Sequence, residues 1–413
     1  MSYTPTIGLE VHAELNTKSK MFCACKNQPH ESEVNAHICP VCMAHPGSLP
    51  VPNKKAIEMV LLFGRSVGAT ISDYTEFDRK NYFYPDIPKA YQISQYAYPF
   101  LTNGELKGVQ LTRVHLEEDT ARSQHDKGSN SLVDFNRAGV PLMELVTEPV
   151  IHDAQTAGDF ARELQLLLRT LNISEANMEK GEMRVEANIS VSKTDTFGTK
   201  VEVKNLNSFK SVEAAIGYEI DRQIEVLESG GELTQETRGW DENKARTFTQ
   251  RSKETAKDYR YFPDPDIPKI STSSVIEFAP SSLDEKMPVL PNNKRELYEN
   301  LGLTSSIIEV IITNSETDKY FTLVLADIGD DSEMAKTAAN YLTSDIVALT
   351  ADPDRTIDQL QVSHFIELIA LVNDKKIGSR VAKDLLPELF GSSVGPQHIA
   401  QEKNLLQVSD ASA

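Results

Sequence analysis

The sequence reads Glu10-Val11-His12 near its start, His115-Leu116-Glu117-Glu118-Asp119 further on, and Arg184-Val185-Glu186-Ala187-Asn188 beyond. Residues two apart on a strand share a face, so the chargeable residues of the first and third stretches are predicted to point one way and their apolar neighbours into a core. Carboxylates, an imidazole and an arginine on strands suit a site for Mg²⁺ and a nucleotide, because the cation takes oxygen ligands and phosphate takes cations. The alternative is a set of solvated strand faces, since most charged residues face water.

The composition is typical of a soluble globular protein: the chain has 413 residues, of which 40% are hydrophobic and 25% charged. This length accommodates two or three domains. The formal net charge is −19, so we expect no non-specific coating of nucleic acid and no DNA partner. No apolar run approaches the length of a membrane span, and the N-terminus shows no signal or transit sequence. We therefore expect a cytoplasmic protein without a membrane partner.

Two kinds of sequence pattern divide the chain into residues 1–290, an α+β domain, and residues 291–413, a helical domain. Periodicity in the first part predicts these strands and helices: Thr6–Glu14, Leu111–Glu117, Arg184–Ser192 and Thr199–Val203; Asn53–Val67, Ala154–Leu171 and Ser211–Glu228. Proline and serine between Pro263 and Asn292 predict an extended connector. The second part predicts these helices: Lys294–Asn300, Thr304–Asn314, Ser315–Asp327, Ser332–Leu349, Ser363–Val372 and Ser379–Leu389.

All four cysteines lie between residues 23 and 42, as Cys23-Ala24-Cys25 and Cys39-Pro40-Val41-Cys42. Two close pairs separated by a loop can supply four thiolates in tetrahedral geometry, so the cluster predicts a structural zinc site without an open position for chemistry. The loop residues His30 and His37 are alternative ligands. The other interpretation is four unrelated thiols, which would not explain why every cysteine is in one short segment.

Three further segments could contact phosphate or a base. Phe77–Gln95 interleaves aromatic and basic residues, which suits stacking and phosphate contact, or else it forms a packed loop whose rings are core. Arg238–Arg260 is locally basic and is either a phosphate-contacting stretch or an exposed mixed-charge helix. Val203–Phe209 joins a strand to a helix, where Ser208 or Asn207 caps the helix or free amides bind phosphate. No P-loop and no Rossmann fingerprint is present.

Taken together, these stretches resemble the B subunit of the aspartyl/glutamyl-tRNA(Asn/Gln) amidotransferase family. The resemblance rests on the following motifs, in chain order: Gly8–His12, Phe77–Asp86, Tyr91–Gln95, His115–Asp119, Asn136–Pro141 with Glu144 and Glu148-Pro149, Met183-Arg184, Lys204–Phe209, Glu236–Asp241 and Asp258–Pro263. These motifs span the whole first domain, and a string as long as Phe77–Asp86 is highly specific.

The resemblance implies an ATP-dependent ligase that works with an amidase-type A subunit, which frees ammonia from glutamine, and with a small C subunit. In this family the B subunit is the one that binds tRNA misacylated with Glu or Asp and transfers the γ-phosphate of ATP to the side-chain carboxylate. Ammonia then displaces phosphate and gives Gln-tRNA or Asn-tRNA. The implied architecture is α+β: a glutamine synthetase-like cradle domain followed by an all-helical domain.

The resemblance also implies which residues form the site. Four residues match the family's Mg²⁺ positions: Glu10, His12, Glu118 and Glu186. Three cations are candidates for phosphate contact on their chemistry: Lys80, Arg184 and Lys204. One carboxylate of the set could serve as the base that keeps ammonia unprotonated.

The chain departs from the family pattern in three places. Members commonly read Arg-Cys-Asp-Ala-Asn where this chain has Glu186, whose side chain is longer than aspartate by one methylene. Met43-Ala44-His45 precedes Pro46-Gly47, where members often have Gly or Leu. We also expect the family's C-terminal, tRNA-gripping helical tail to be absent after Gln407.

Two other functions compete with this interpretation. One is a Mg²⁺-dependent phosphotransferase or ligase acting on a small carboxylic acid without RNA. The other is a non-catalytic, zinc-bearing scaffold that recruits a glutaminase, although a scaffold has no use for clustered Mg²⁺ ligands.

Overall fold

A computed structural model describes residues 2–31, 33–124, 130–252 and 259–407. The chain divides into two compact units, Met1–Pro288 and Val289–Ala413. The first combines a large mixed sheet with helices, and the second is helical. The prediction of an α+β region followed by a helical region is therefore confirmed at the level of secondary-structure content.

The first unit contains seventeen strands and four α-helices among its described residues. The strands are β1 (Thr4–Glu14), β2 (Thr70–Ile71), β3 (Tyr74–Thr75), β4 (Asp78–Asn81), β5 (Tyr91–Ser94), β6 (Leu101–Thr102), β7 (Glu105–Leu106), β8 (Val109–Glu118), β9 (Arg122–Gln124), β10 (Leu132–Asp134), β11 (Pro141–Thr147), β12 (Met183–Ser192), β13 (Val201–Leu206), β14 (Glu236–Asp241), β15 (Arg246–Ser252), β16 (Phe262–Pro263) and β17 (Ile270–Ser271). The helices are α1 (Lys54–Ser66), α2 (Ala154–Thr170), α3 (Phe209–Glu228) and α4 (Pro280–Asp284).

Ten of these strands form one sheet in the order β15-β14-β13-β12-β1-β11-β8-β6-β2, with β7 paired to β8. The first strand is central: β1 pairs antiparallel with β12 on one side and with β11 on the other. Leu9, Val11 and Ala13 of β1 are buried. Helix α3 packs on β12 and α2 packs on α3, so the apolar face of the sheet is covered and its other face is left for polar side chains.

The long helices of this unit begin at side-chain caps. Asn53 accepts from the amides of Lys55 and Ala56 at the start of α1, and Ser208 accepts from the amide of Ser211 at the start of α3. Each cap satisfies a backbone donor that has no partner within the helix. Ser208 therefore has the capping role that the sequence left open.

The predicted extended connector after Pro263 is wrong for most of its length. Strand β16 pairs with β4, β17 pairs with β3, and α4 packs on α1. Ile267, Phe278 and Leu283 of this segment are buried. These apolar side chains fold the segment back onto the first unit, despite its prolines.

The second unit consists of helices in the described residues up to Gln407. They are α5 (Pro291–Asn300), α6 (Ser305–Thr313), α7 (Ser315–Ile328), α8 (Ser332–Tyr341), α9 (Val347–Leu349), α10 (Val362–Asn373), α11 (Ser379–Leu385) and α12 (Pro396–Glu402). The predicted helix Ser332–Leu349 is present but widens into a π turn at Leu342–Ile346. The core of the second unit includes Phe321, Leu342 and Phe365, each of which is fully buried.

Candidate active site

A polar cleft of about 750 Å³ lies over the middle of the large sheet. It is lined by six of the seven residues predicted to hold Mg²⁺ or phosphate, namely Glu10, His12, Lys80, Arg184, Glu186 and Lys204. Strand register explains why they meet: Glu10 is opposite Glu186, and His12 is opposite Arg184, across the β1–β12 pair. Directly opposed residues project from the same face of a sheet.

Glu118 is the predicted site residue that the structure does not bring to this cleft. One of its carboxylate oxygens accepts from the amide of Ile93 at 3.0 Å and the other from Lys89 Nζ at 2.7 Å. The reason is strand alternation: on β8 it is Glu117 that follows His115 by two residues and shares its face. Glu118 therefore projects from the opposite face of the strand.

Three residues outside the predicted set join this cluster: Glu117 and Glu144 line the cleft, and His115 contacts Glu144. His12 Nε2 lies 3.3 Å from Glu144 Oε2 and 3.6 Å from Glu117 Oε1, while His115 Nε2 lies 3.3 Å from Glu144 Oε2. Strand alternation could have found Glu117 from the sequence. Glu144 needed the β1–β11 register, which places it opposite His12.

The pKa shifts of the side chains in this cluster indicate an excess of negative charge. Burial, and then the charges of Glu144 and Glu186, raise the pKa of Glu10 to about 7. Burial alone would lower the pKa of His12, but its hydrogen bond to Glu144 and the nearby carboxylates outweigh burial and raise it to about 9. Burial opposes ionisation of Glu144, yet the imidazoles of His115 and His12 hold its pKa well below the usual range. Crowded carboxylates of this kind are relieved by a bound cation.

A second observation also fits a divalent cation. Two buried atoms of the kind that bind metal ions have no hydrogen-bond partner among the described residues. These atoms are Glu117 Oε2 and His115 Nδ1. Three sets of ligand atoms there lie close enough to share an ion: Glu10–His12–Glu144, His115–Glu117–Glu144 and Glu10–Glu186–Glu202. The carboxylate oxygens of these sets are ligands that suit Mg²⁺ or Mn²⁺.

Cationic side chains surround these carboxylates. Lys204 Nζ lies 2.7 Å from Glu186 Oε2, and an Arg184 guanidinium nitrogen lies 2.9 Å from Asp119 Oδ2. Burial alone would lower the pKa of Lys80, but Glu117 above all raises it, so this lysine stays charged. Its Nζ also lies 5.2 Å from the centre of the Tyr259 ring. Carboxylates and cations are thus arranged side by side, as transfer of a phosphoryl group requires.

Contacts within the fold engage many of the described residues of two predicted phosphate-contacting segments, Phe77–Gln95 and Arg238–Arg260. Arg79 pairs with Asp264 and Asp266, and Phe77 is a core residue packed edge-on against Phe22 and Phe100. This part of Phe77–Gln95 therefore follows the packed-loop interpretation.

The described residues 238–252 of the basic stretch Arg238–Arg260 form the β14–β15 hairpin, so this part of the stretch is not a helix. Arg238 is held by Glu236 at 2.6 Å and by the buried Glu219 at 3.5 Å, so its charge is used within the fold. Residues 253–258 of this stretch lie outside the described residues. Of the predicted stretch, Tyr259 contributes a ring to the cleft, as does Tyr261 just beyond it.

The four cysteine sulfurs converge without either histidine. All four sulfur atoms lie within 4.8 Å of one another, and those of Cys39 and Cys42 are 3.8 Å apart. A tetrahedron with metal–sulfur bonds of about 2.3 Å has edges of about 3.8 Å. A disulfide would need about 2.0 Å, and all four cysteines are free. The cluster is therefore consistent with a structural metal.

Among the described residues, no helix combines the length and the apolar character needed to cross a bilayer.

Comparison with known proteins agrees with this geometry. The family model described as "GatB/GatE catalytic domain" matches residues 5–277, and the model described as "GatB domain" matches residues 319–413. Three curated relatives are each named as the B subunit of aspartyl/glutamyl-tRNA(Asn/Gln) amidotransferase. The relative from Picosynechococcus sp. is 41% identical over 100% of this chain and 86% of its own length.

The relative from Persephonella marina is 42% identical over 99% of this chain and 88% of its own length. The relative from Caldicellulosiruptor saccharolyticus is also 42% identical, over 99% of this chain and 87% of its own length. The chain therefore belongs to the family of aspartyl/glutamyl-tRNA(Asn/Gln) amidotransferase B subunits.

Proposed function

We propose that this chain is the subunit of a glutamine-hydrolysing tRNA amidotransferase that converts Glu-tRNA(Gln), Asp-tRNA(Asn) or both to the amidated forms. The observation that carries this proposal is the polar cleft: crowded carboxylates and imidazoles lie beside half-buried cations on one face of the sheet. A carboxylate is a poor acyl donor because its oxygen is a poor leaving group. Phosphorylation by ATP corrects this, and the cleft has the charges that such a step needs.

The roles within the cleft follow from its contacts. Glu10, His12, Glu144 and Glu186 would hold Mg²⁺, with Glu117 and His115 beside them. A bound Mg²⁺ would gather the phosphate oxygens and the substrate carboxylate. Lys80, Arg184 and Lys204 would contact phosphate and offset the charge that develops on it. Glu118, the fourth predicted Mg²⁺ residue, has no such role in this proposal, because its carboxylate is bound to Lys89 and Ile93 on the opposite face.

A carboxylate of the cleft that does not hold Mg²⁺ would serve as the base that keeps ammonia unprotonated.

The remaining assignments rest on family membership. We propose an amidase-type glutaminase (the A subunit) and the small C subunit as partners, misacylated tRNA as substrate and zinc as the metal of the cysteine cluster. We also propose that residues 1–290 form a glutamine synthetase-like cradle, that residues 291–413 form a separate helical domain, and that the protein acts in the cytoplasm. A sheet with helices on one face and the polar cleft on the other supports the cradle.

One experiment tests this function against the small-acid alternative. The chain is incubated with its amidase partner, ATP and Mg²⁺, with and without Glu-tRNA, and ADP release is measured. We expect release only with the misacylated tRNA. Equal release without tRNA would favour a phosphotransferase that acts on a small acid.

A further inference from the structure

Lys20 is a buried lysine that the cleft does not use. Its side chain is fully buried, at 0% exposure. Its ammonium donates hydrogen bonds to the carbonyl oxygens of His37, at 2.8 Å, and Phe135, at 3.1 Å. Both partners are neutral, and no carboxylate of the described residues pairs with it. A buried charge without a countercharge is unfavourable, so a negative group is expected nearby.

The four-cysteine cluster is next to this lysine. Gly139 lies between Lys20 and Cys42: a Cβ on that glycine would lie 3.5 Å from Lys20 Cδ and 3.7 Å from Cys42 Cβ.

Lys20 also connects the two turns that carry the cysteines. Its own amide donates to the carbonyl oxygen of Cys25 at 3.0 Å. Its ammonium reaches the carbonyl oxygen of His37, two residues before Cys39. One residue therefore joins the Cys23–Cys25 turn through its backbone to the Cys39–Cys42 turn through its side chain.

We propose that Lys20 is the fixed countercharge of a metal–tetrathiolate centre formed by Cys23, Cys25, Cys39 and Cys42. A divalent ion with four thiolates carries roughly two negative charges, which burial would disfavour. The lysine ammonium offsets part of that charge and holds the two cysteine turns in the spacing that the ion needs. It is a positioning residue and does not ligate the metal. This inference rests on the metal site proposed above.

The test is zinc affinity, measured by competition with a chromophoric chelator on the full chain. Lys20→Met removes the charge and the hydrogen bonds at similar volume, and Lys20→Gln keeps a donor without the charge. Lys18→Met and Lys26→Met are matched controls, because both lysines are exposed neighbours in the same segment. We expect about 10- to 100-fold weaker binding for both Lys20 variants, as is usual for loss of an outer partner of a metal ligand. The controls should bind like the unaltered chain.

Cobalt replaces zinc in a second readout, because its sulfur charge-transfer absorption reports four thiolate ligands. The Lys20 variants should show that absorption at higher cobalt concentrations only. Zinc binding by Lys20→Met or Lys20→Gln as tight as in the unaltered chain would overturn the proposal. If the unaltered chain bound neither zinc nor cobalt, the metal site itself would be wrong, which is a different outcome.

A measurement on the unaltered chain covers the case in which Lys20→Met does not fold. Lysine acetylation is followed by mass spectrometry before and after zinc is removed with a chelator. We expect Lys20 to be protected while zinc is bound and to become reactive after removal, whereas Lys18 and Lys26 react equally in both states. Protection of Lys20 that does not change on zinc removal contradicts the proposal.

Discussion

Two clusters of potential metal ligands lie in the same unit of this protein and differ in how they are built. The cleft collects carboxylates and imidazoles from four strands, β1, β8, β11 and β12, and leaves Glu117 Oε2 and His115 Nδ1 without partners among the described residues. The cysteine cluster takes its four sulfurs from two turns, and a tetrahedral ion would use all of them. The first arrangement has open coordination positions, and the second has none. An open set suits chemistry and a closed set suits structure.

The largest effect is expected at Glu144, which contacts both imidazoles of the cleft. Glu144→Gln should lower the single-turnover rate of Gln-tRNA formation by about 10²- to 10³-fold, because a ligand of the Mg²⁺ that would gather the reacting phosphate is lost. Glu148→Gln is the control, since Glu148 follows the same strand and is hydrogen-bonded to Thr112. Equal rates for the two variants would show that the cleft is not the reaction site.

Removal of zinc and removal of Mg²⁺ should have different effects, because the cysteine cluster is proposed to be structural and the cleft to be catalytic. Zinc removal should lower the melting temperature by roughly 5 °C, which corresponds to about 2 kcal/mol for a unit of this size. Mg²⁺ removal should abolish ADP release and leave the melting temperature nearly unchanged. Calorimetry and ADP release on the same samples check both statements. A chain without zinc that melts like the loaded chain would contradict a structural role for the cysteines.

A smaller effect is expected at Lys204, which is partly exposed and paired with Glu186. Lys204→Met should raise the KM for ATP by about tenfold. This is the change expected when one charge-assisted hydrogen bond to phosphate is lost. Lys200→Met, an exposed lysine just before the same strand, is the matched control. If both variants kept the unaltered KM, Lys204 would not contact phosphate.

The two clusters also differ in how well the sequence predicted them. The cysteine cluster can be predicted from the sequence because its four ligands are close in the chain and few residue types bind a structural metal ion. The carboxylate cluster depends on pairing between strands far apart in sequence. Alternation alone predicts that Glu10 and His12 share a face, whereas the meeting of Glu144 with His12 depends on the β1–β11 register.

Glu118 shows where resemblance and alternation disagree. The family motif pointed to Glu118, while strand alternation from His115 points to Glu117. The structure places Glu117 in the cleft and Glu118 on the opposite face of the strand. The connector after Pro263 shows a different limit, because composition predicted an extended chain and buried side chains such as Phe278 and Leu283 fold it back. Local composition reports backbone preference and does not report long-range packing.

The most direct test of the cation site is Mn²⁺ binding to Glu117→Gln and Glu118→Gln, followed by the electron paramagnetic resonance of free Mn²⁺. The two glutamates are neighbours in sequence and are both buried, but they project from opposite faces of β8. We expect at least about tenfold weaker binding for Glu117→Gln and unchanged binding for Glu118→Gln. The reverse result would contradict the assignment of the cation site to the cleft.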